Sequence, residues 1–375
     1  LTLFNSNTPI MLENWLKPLD GNLFSNNKDK DKFENRLQCY LDKMPNLKKT
    51  QVALIGIGEK EANAVRKALY KMAYPFSKLR IADLGNLRKE ETGFISPVIQ
   101  ELLEGGICPV LIGYDGKFTQ AQFLAHHACQ PSVSLVEVKE RIAYHPQKPE
   151  SEGYYLNSIL EGEYRLFHFT TIGSQSHYVE ESVYYFLEKC YFDYVRLGKA
   201  KANLPGLEPF IRDADMMSFH ISALKYADAP AAQDATPSGF FSEEACQISR
   251  YAGMNDKLTS IGFYGYQAEL DKNGLTPQTI AQMIWYFLDG FNNRQKDFPS
   301  SMDQLVEYVV ELKDHDQQFT FWKSNKTGRW WLQVPIKTKK NLQRHRLIPC
   351  SYDDYIESSK GEMPSRLINA FKRFD

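Results

Sequence analysis

The chain has 375 residues, 43% hydrophobic and 24% charged, and its 45 Lys+Arg against 46 Asp+Glu leave a net charge of −1. That is a globular composition, enough for one large α/β domain or two smaller ones, and its balanced charge gives no global attraction to nucleic acid or a membrane surface. Cys39, Cys108, Cys129, Cys190, Cys246 and Cys350 show no CxxC spacing, which fits a reduced, cytoplasmic protein, and neither an apolar run of about 18 residues nor a signal peptide at LTLFNSNTPI is read.

In chain order, residues 1–49 read as an N-terminal arm, with Phe4, Ile10, Met11, Trp15 and Leu16 apolar beside the polar run NNKDKDKFENR. QVALIGI (51–57) is a buried strand. Its Gly56 and Gly58 lack the third glycine of a dinucleotide fingerprint, so they mark a tight strand-to-helix turn. A helix follows over 62–72, then a strand over 79–85 with Asp83 as a turn residue, and a helix over 96–104 stopped by Gly105-Gly106. ICPVLIG (107–113) and VSLVEV (133–138) are further apolar strands, separated by a helix over 118–129 on which His126 and His127 face different ways. A long loop with a short helix (143–163) leads to a strand over 165–172, a helix over 182–189 and, at 191–196, a short strand or a helix end. Met216, Met217, Phe219 and Ile221 form another strand; Ser242 opens a helix, 257–266 is a strand and 276–291 an apolar helix. Beyond it, Ser301 to Leu312 has amphipathic helical spacing, FTFWKSNKTGRWWLQV (319–334) reads as a hairpin about Asn-Lys-Thr-Gly, and an acidic helix ends near Gly361.

The stretch from Arg212 to Ala245 carries the most information. Ser218-Phe219-His220-Ile221-Ser222 is followed by Ala229-Pro230, Thr236-Pro237, Gly239 and the helix-opening Ser242-Glu243-Glu244. This order resembles the S-x-D-x-D-x-x-D-P, A-P, P-x-G, S/T-x-E-A frame of arginases, agmatinases and formimidoylglutamases. Weaker matches extend it over residues 50–292. The resemblance implies a three-layer α/β/α arginase-like fold with a parallel central sheet, flanked by the arm (1–49) and a C-terminal extension (293–375) of helix, basic and aromatic hairpin and acidic helix. It also implies a pair of manganese ions, hydrolysis of linear amidine C–N bonds, and homo-oligomers.

The ligand positions depart from that family. The two strand aspartates stand as His220 and Ser222, and the third as Lys225. Where the family has G-G-D-H-S this chain reads Gly113, Tyr114, Asp115, Gly116, Lys117, so the ligand histidine is Gly116. Its D-A-H-x-D becomes Glu137, Lys139 and Arg141, and its substrate-contacting Glu falls on Gly265. Lysine and arginine offer a metal no lone pair near neutral pH. The expectation is a degenerate, metal-free pocket in which Lys139 or Arg141 pairs with Asp115 or Glu137; Asp213, Asp215 and Asp228 are the other carboxylates that could move in.

The leading functional expectation is a catalytically inactive arginase- and formimidoylglutamase-like protein acting as a binding or assembly module with a protein partner. Two alternatives stand beside it: an amidine or guanidino hydrolase with an atypical metal site, and a small-anion sensor using Lys117, Lys139, Arg141 and Lys225. From Lys323 to Arg346 there are eight Lys/Arg and no acid, interleaved with Trp322, Trp330 and Trp331. Against the bland reading of a solvated hairpin, Trp322, Lys323, Arg329, Trp330 and Trp331 form a candidate contact surface for protein or, more weakly, nucleic acid. Trp330 and Trp331 must face opposite ways, one of them outward.

Overall fold

Apolar runs closed by glycine turns become the interior strands of one sheet. The computed structural model describes residues 11–25, 29–147, 153–164, 166–312, 317–334 and 340–374, so Phe4, Ile10 and parts of the expected loops lie outside the described residues. In chain order the first half runs β1 (Leu16–Lys17), β2 (Gln38–Cys39), β3 (Val52–Ile57), α1 (Glu59–Leu69), β4 (Ile81–Leu87), α2 (Thr92–Glu104), β5 (Cys108–Gly113), α3 (Phe118–Cys129), β6 (Ser134–Val138), α4 (Leu156–Leu160), β7 (His168–Ser174), α5 (Glu181–Lys189) and β8 (Asp193–Arg196). It continues with α6 (Leu197–Ala202), α7 (Glu208–Arg212), β9 (Met216–His220), α8 (Ser242–Met254), β10 (Ser260–Tyr264) and α9 (Leu275–Asn292). The C-terminal part holds β11 (Leu305–Leu312), β12 (Gln317–Ser324), β13 (Trp330–Gln333), β14 (Leu347–Cys350), α10 (Tyr352–Ser359) and α11 (Ser365–Phe371).

The main sheet has the order β1-β4-β3-β5-β10-β9-β6-β7-β8, with β2 also on β4, and all its pairings but β1–β4 are parallel. β3, β5, β6, β9 and β10 are buried at every position, as strands covered on both faces must be. Side chains of α1, α6, α7, α8 and α9 join the core on one face, and those of α2, α3, α4 and α5 the core on the other. This is the three-layer α/β/α architecture expected, and the segment read as an arm contributes β1 and β2 to the sheet. No described helix is long and apolar enough to cross a membrane.

Two local expectations are corrected. Asp83 is not a turn residue: β4 continues through it, and its carboxylate is fully buried against the Arg66 guanidinium at 2.8 and 3.0 Å and the Tyr70 hydroxyl at 2.8 Å. The strand passes Gly85 at φ +76, where a Cβ would stand 2.0 Å from the Lys17 carbonyl oxygen, so only glycine lets β1 approach. Residues 301–312 do not form a helix; β11 fills Leu305–Leu312. The i, i+4 spacing of Leu305 with Val309 and Tyr308 with Leu312 suggested a helix, but Val306, Val309, Val310 and Tyr308 favour the extended backbone once β12 is alongside.

The β11-β12-β13-β14 sheet, fully antiparallel, packs beneath the main one. The two indoles do point opposite ways, and both are covered. Trp331 lies against the body with the Arg212 guanidinium 4.4 Å from its ring, while Trp330 stacks on Tyr355 of α10 at 4.5 Å; they are 1% and 5% exposed. Charges meet at the same junction, near the N-terminal ends of β7, β8 and β9. Arg373 reaches Asp193 at 3.0 Å and Asp213 at 2.8 Å, Arg344 reaches Asp215 at 2.8 Å, and Lys257 sits 3.3 Å from Asp213 and 3.0 Å from His345 Nδ1.

Burial and the neighbouring Lys257 push the His345 imidazole down from 6.5 to about 3. Its folded pKa lies below its unfolded one, so between those values the unfolded chain binds the extra proton and stability falls as pH drops from about 6.5. At pH 5 this should cost about 2 kcal/mol. Urea denaturation at pH 7 and pH 5 checks it: His345→Gln should lose less stability on acidification than the parent, and an identical loss in both refutes the assignment.

Candidate functional site

Open parallel sheets gather functional groups outside the carboxyl ends of their strands. Here β5, β10, β9 and β6 are consecutive neighbours, and the turns after β5, β6 and β9 bring together the residues singled out from the sequence. Glu137 of β6 is in register with Ser218 of β9, and Ser218 and His220, two apart on one strand, present their side chains to the same side.

A side chain that no motif signals completes the site. Tyr155, just before α4, donates its hydroxyl proton to Glu137 Oε1 at 2.6 Å, and the Tyr155 hydroxyl oxygen lies 2.9 Å from His220 Nε2 and 3.4 Å from Lys139 Nζ. His220 Nε2 is also 3.0 Å from Ser218 Oγ and 3.3 Å from Glu137 Oε1, and Ser218 Oγ is 2.7 Å from Thr119 Oγ1. Three oxygens around Nε2, one of them a carboxylate, assign it as the protonated nitrogen. The Tyr155 and His220 rings stack at 5.8 Å and 16°.

The electrostatics follow from burial and partners. Burial works to raise the Glu137 carboxyl, but the His220 contact, the Lys139 charge and the Tyr155 hydrogen bond outweigh it and hold it below the usual range. Burial, then Lys139, lowers the His220 imidazole, and burial with the Glu137 charge pushes the Tyr155 phenol well above 10. The centre is therefore an anionic carboxylate between a neutral phenol and a neutral imidazole.

The expected ion pair of Lys139 or Arg141 with Asp115 or Glu137 is not found among the described residues. Lys117 meets Asp115 at 3.2 Å, but Arg141 turns to its neighbour Glu140 at 3.1 Å and lies over the Tyr178 ring at 4.5 Å. Lys225 takes Asp228 at 3.8 Å and the Phe241 ring at 3.9 Å. Lys139 makes no carboxylate ion pair among the described residues and rides over the Tyr155 ring at 5.0 Å. Glu140, fully buried, was missed because a carboxylate next to an arginine in sequence carries no motif. Asp213 and Asp215 do not move in: they precede β9, at the opposite end of the sheet, and are held by Arg373, Lys257 and Arg344. Of the candidate contact surface, the outward-facing indole is corrected, while Trp322 and Lys323 are half-exposed. Besides the two covered indoles, Arg329 is bound to Glu208 at 3.0 Å, Lys323 stacks on Trp330 at 5.5 Å, and Trp322 donates to Gln333 at 2.8 Å.

Do these residues fit the two manganese ions that the resemblance implies? A Cβ on Gly116 would lie 2.6 Å from His220 Cε1 and 3.0 Å from a Tyr155 ring carbon, so the volume over Gly116 is already filled by two rings. Ser222 is buried, and among the described residues no group of three or more His, Cys, Asp or Glu could hold a metal ion. Hard divalent cations need about six oxygen ligands each, whereas here Glu137 and His220 stand beside an ammonium. The donor set does not fit.

No family model and no curated protein matches the sequence. By structure, the chain is similar to formimidoylglutamase from Bacillus subtilis (TM-score 0.64, 14% identity, 72% of this chain and 95% of that one). It is also similar to Trypanosoma cruzi formiminoglutamase with Mn2+ (0.60, 15%, 67% and 96%) and to arginase from Bacillus cereus (0.52, 13%, 64% and 98%). The chain has the arginase and formimidoylglutamase fold. At these identities the likeness speaks for the fold alone.

The close packing over Gly116 is testable. Gly116→Ala forces a methyl into the His220 ring and should cost about 1–3 kcal/mol. His220→Ala should relieve that cost, so the double variant should be less destabilised than the sum of the singles. Urea denaturation of all four proteins measures the coupling, and strict additivity would show that the two positions do not compete for one volume.

Proposed function

We propose that this chain is a ureohydrolase-fold protein that has given up di-metal hydrolysis and acts through binding, as a recognition or assembly module. The observation that carries the reading is the filled volume over Gly116, where the His220 and Tyr155 rings stand within 2.6–3.0 Å of any added Cβ. Glu137, the carboxylate at a first-ligand position of the resemblance, spends one oxygen on the Tyr155 hydroxyl and the His220 imidazole. An amidine hydrolase of this fold would use metal-bound water as nucleophile, and lysine at 139 and arginine at 141 oppose the ions that would supply it.

The small-anion reading draws less support. Lys117, Arg141 and Lys225 each have an acid of their own in Asp115, Glu140 and Asp228. Lys139, the fourth cation, lies close enough to Glu137 to lower its pKa. Four cations set against four carboxylates leave no net charge to draw an anion.

Elemental analysis of the purified full chain, with a manganese titration followed by thermal melting, is the test. The expected result is manganese far below one ion per chain, a negligible melting shift, and no ammonia or urea released from amidine and guanidino compounds. Stoichiometric manganese, or a rise of many degrees on adding it, would return the protein to the hydrolases, because a ligand that binds only the folded state must stabilise it.

A further inference from the structure

The second sheet ends in a strand with nothing on its outer side. β11 pairs with β12 along all eight residues, Leu305↔Ser324 through Leu312↔Gln317, and takes no second partner among the described residues. Which of its backbone groups point outward follows from the ladder. Asn325 N–H donates to the Gln304 carbonyl at 3.0 Å, which makes 304 and 325 a hydrogen-bonded pair, and in an antiparallel ladder such pairs alternate. Ser324 N–H turns the other way, to the carbonyl of Arg329 just before β13, and Leu305 N–H goes to Met302, as the alternation requires. The N–H and C=O groups of Glu307, Val309 and Glu311 therefore face away from β12.

Long free edges are normally blunted by charged side chains, above all lysine, or by a proline, a bulge or a cover. β11 has no lysine, proline or bulge and its only charges are Glu307 and Glu311, both exposed; Val310 is buried, while Val309 is 55% and Val306 37% exposed. Its charge is of one sign: residues 301–312 hold Asp303, Glu307 and Glu311 and no lysine or arginine. Glu307, Val309 and Glu311 share one face of the strand, with the uncharged Trp322, Thr320 and Gln318 opposite them on β12. Pairing with a second copy would set four glutamates on one face with no cation between them, which like-charge repulsion opposes.

We propose that the free edge of β11 is a docking site for an extended, basic segment of a partner protein, which adds a fifth strand to this sheet. Main-chain hydrogen bonds to Glu307, Val309 and Glu311 hold it, and alternate side chains read it. The pattern that fits is basic–x–apolar–x–basic: two cations opposite Glu307 and Glu311, and a β-branched residue opposite Val309. The inference gives the binding reading above a surface and a partner chemistry, and its test does not touch the Glu137 pocket.

The probe is a fluorescent peptide built on Lys-Thr-Val-Thr-Lys, which sets two lysines and a valine on one face, measured by anisotropy against the full chain; the same peptide with both lysines replaced by glutamate is the control. Saturable binding of the lysine peptide alone, weakening as salt rises, is expected. Val309→Pro removes one outward N–H and leaves the β11–β12 ladder intact, so affinity should drop at least about tenfold with unchanged melting. Glu307→Lys with Glu311→Lys should reverse the preference to the glutamate peptide, a readout that stands even if the proline variant misfolds. Hydrogen exchange should slow at the amides of Glu307, Val309 and Glu311 when peptide is added. Failure to bind, equal binding of both peptides, or protection elsewhere overturns the assignment, as does a concentration-dependent dimer abolished by Val309→Pro. Such a failure would leave the manganese result, and the reading of the pocket, where it stands.

Discussion

A carboxylate taken out of water must be met by a cation, a metal or its own proton, because an uncompensated buried charge costs several kcal/mol, roughly, even after relaxation. This protein meets that requirement at both ends of one sheet. At the carboxyl ends of the strands Glu137 is held by a phenol, an imidazole and the field of Lys139. At the amino ends Asp193, Asp213 and Asp215 are held by Arg373, Lys257 and Arg344. Arg66 and Asp83 repeat the solution inside β4. In each case nitrogen and hydroxyl donors reached from other elements do what a bound ion could otherwise do, so the charges fix how the layers sit on one another.

The sheet was legible because its strands are near-continuous apolar runs, a pattern that exposed or half-exposed segments do not imitate. QVALIGI, ICPVLIG, VSLVEV and the Met216 strand all lie in it. The positions lining the pocket were legible for the same reason: they are the residues that end those strands. Their partners were not. Tyr155 arrives from a loop and Glu140 lies beside its cation in sequence, and no spacing rule links either of them to Glu137; of Asp213, Asp215 and Asp228, named from the sequence as able to move in, only Asp228 meets a cation of the pocket, Lys225. Asp83 and the 301–312 segment were misread where tertiary contacts decide, through a buried arginine in one case and a neighbouring strand in the other. The indoles illustrate the limit well. Alternation gave their opposite directions, but nothing local reveals that α10 covers one and the body the other.

The pocket also shows how one small residue can close a site. Without a side chain at 116, His220 and Tyr155 can swing into the space and satisfy each other and Glu137. The change is mutual: with the rings in place, a larger residue at 116 has nowhere to go. Restoring a donor there would require at least two coordinated replacements, since each alone meets a steric or an unpaired-charge penalty.

The junction under the sheet bears on how the chain reaches this state. Asp193 and Arg373 are 180 residues apart in sequence, Asp213 and Arg373 160, and Lys257 and His345 88. Contacts of such separation form late, because the entropy of closing the loop is lost before the contact returns anything. Until then Asp193 and Asp215 lack their arginines and only Asp213 keeps an ion pair with a cation of the body, Lys257, so a body assembled alone holds buried charge that is only partly met. The junction between the two sheets should accordingly form slowly, and until it closes the body exposes the apolar seat of Trp331 to any other unfolded chain nearby.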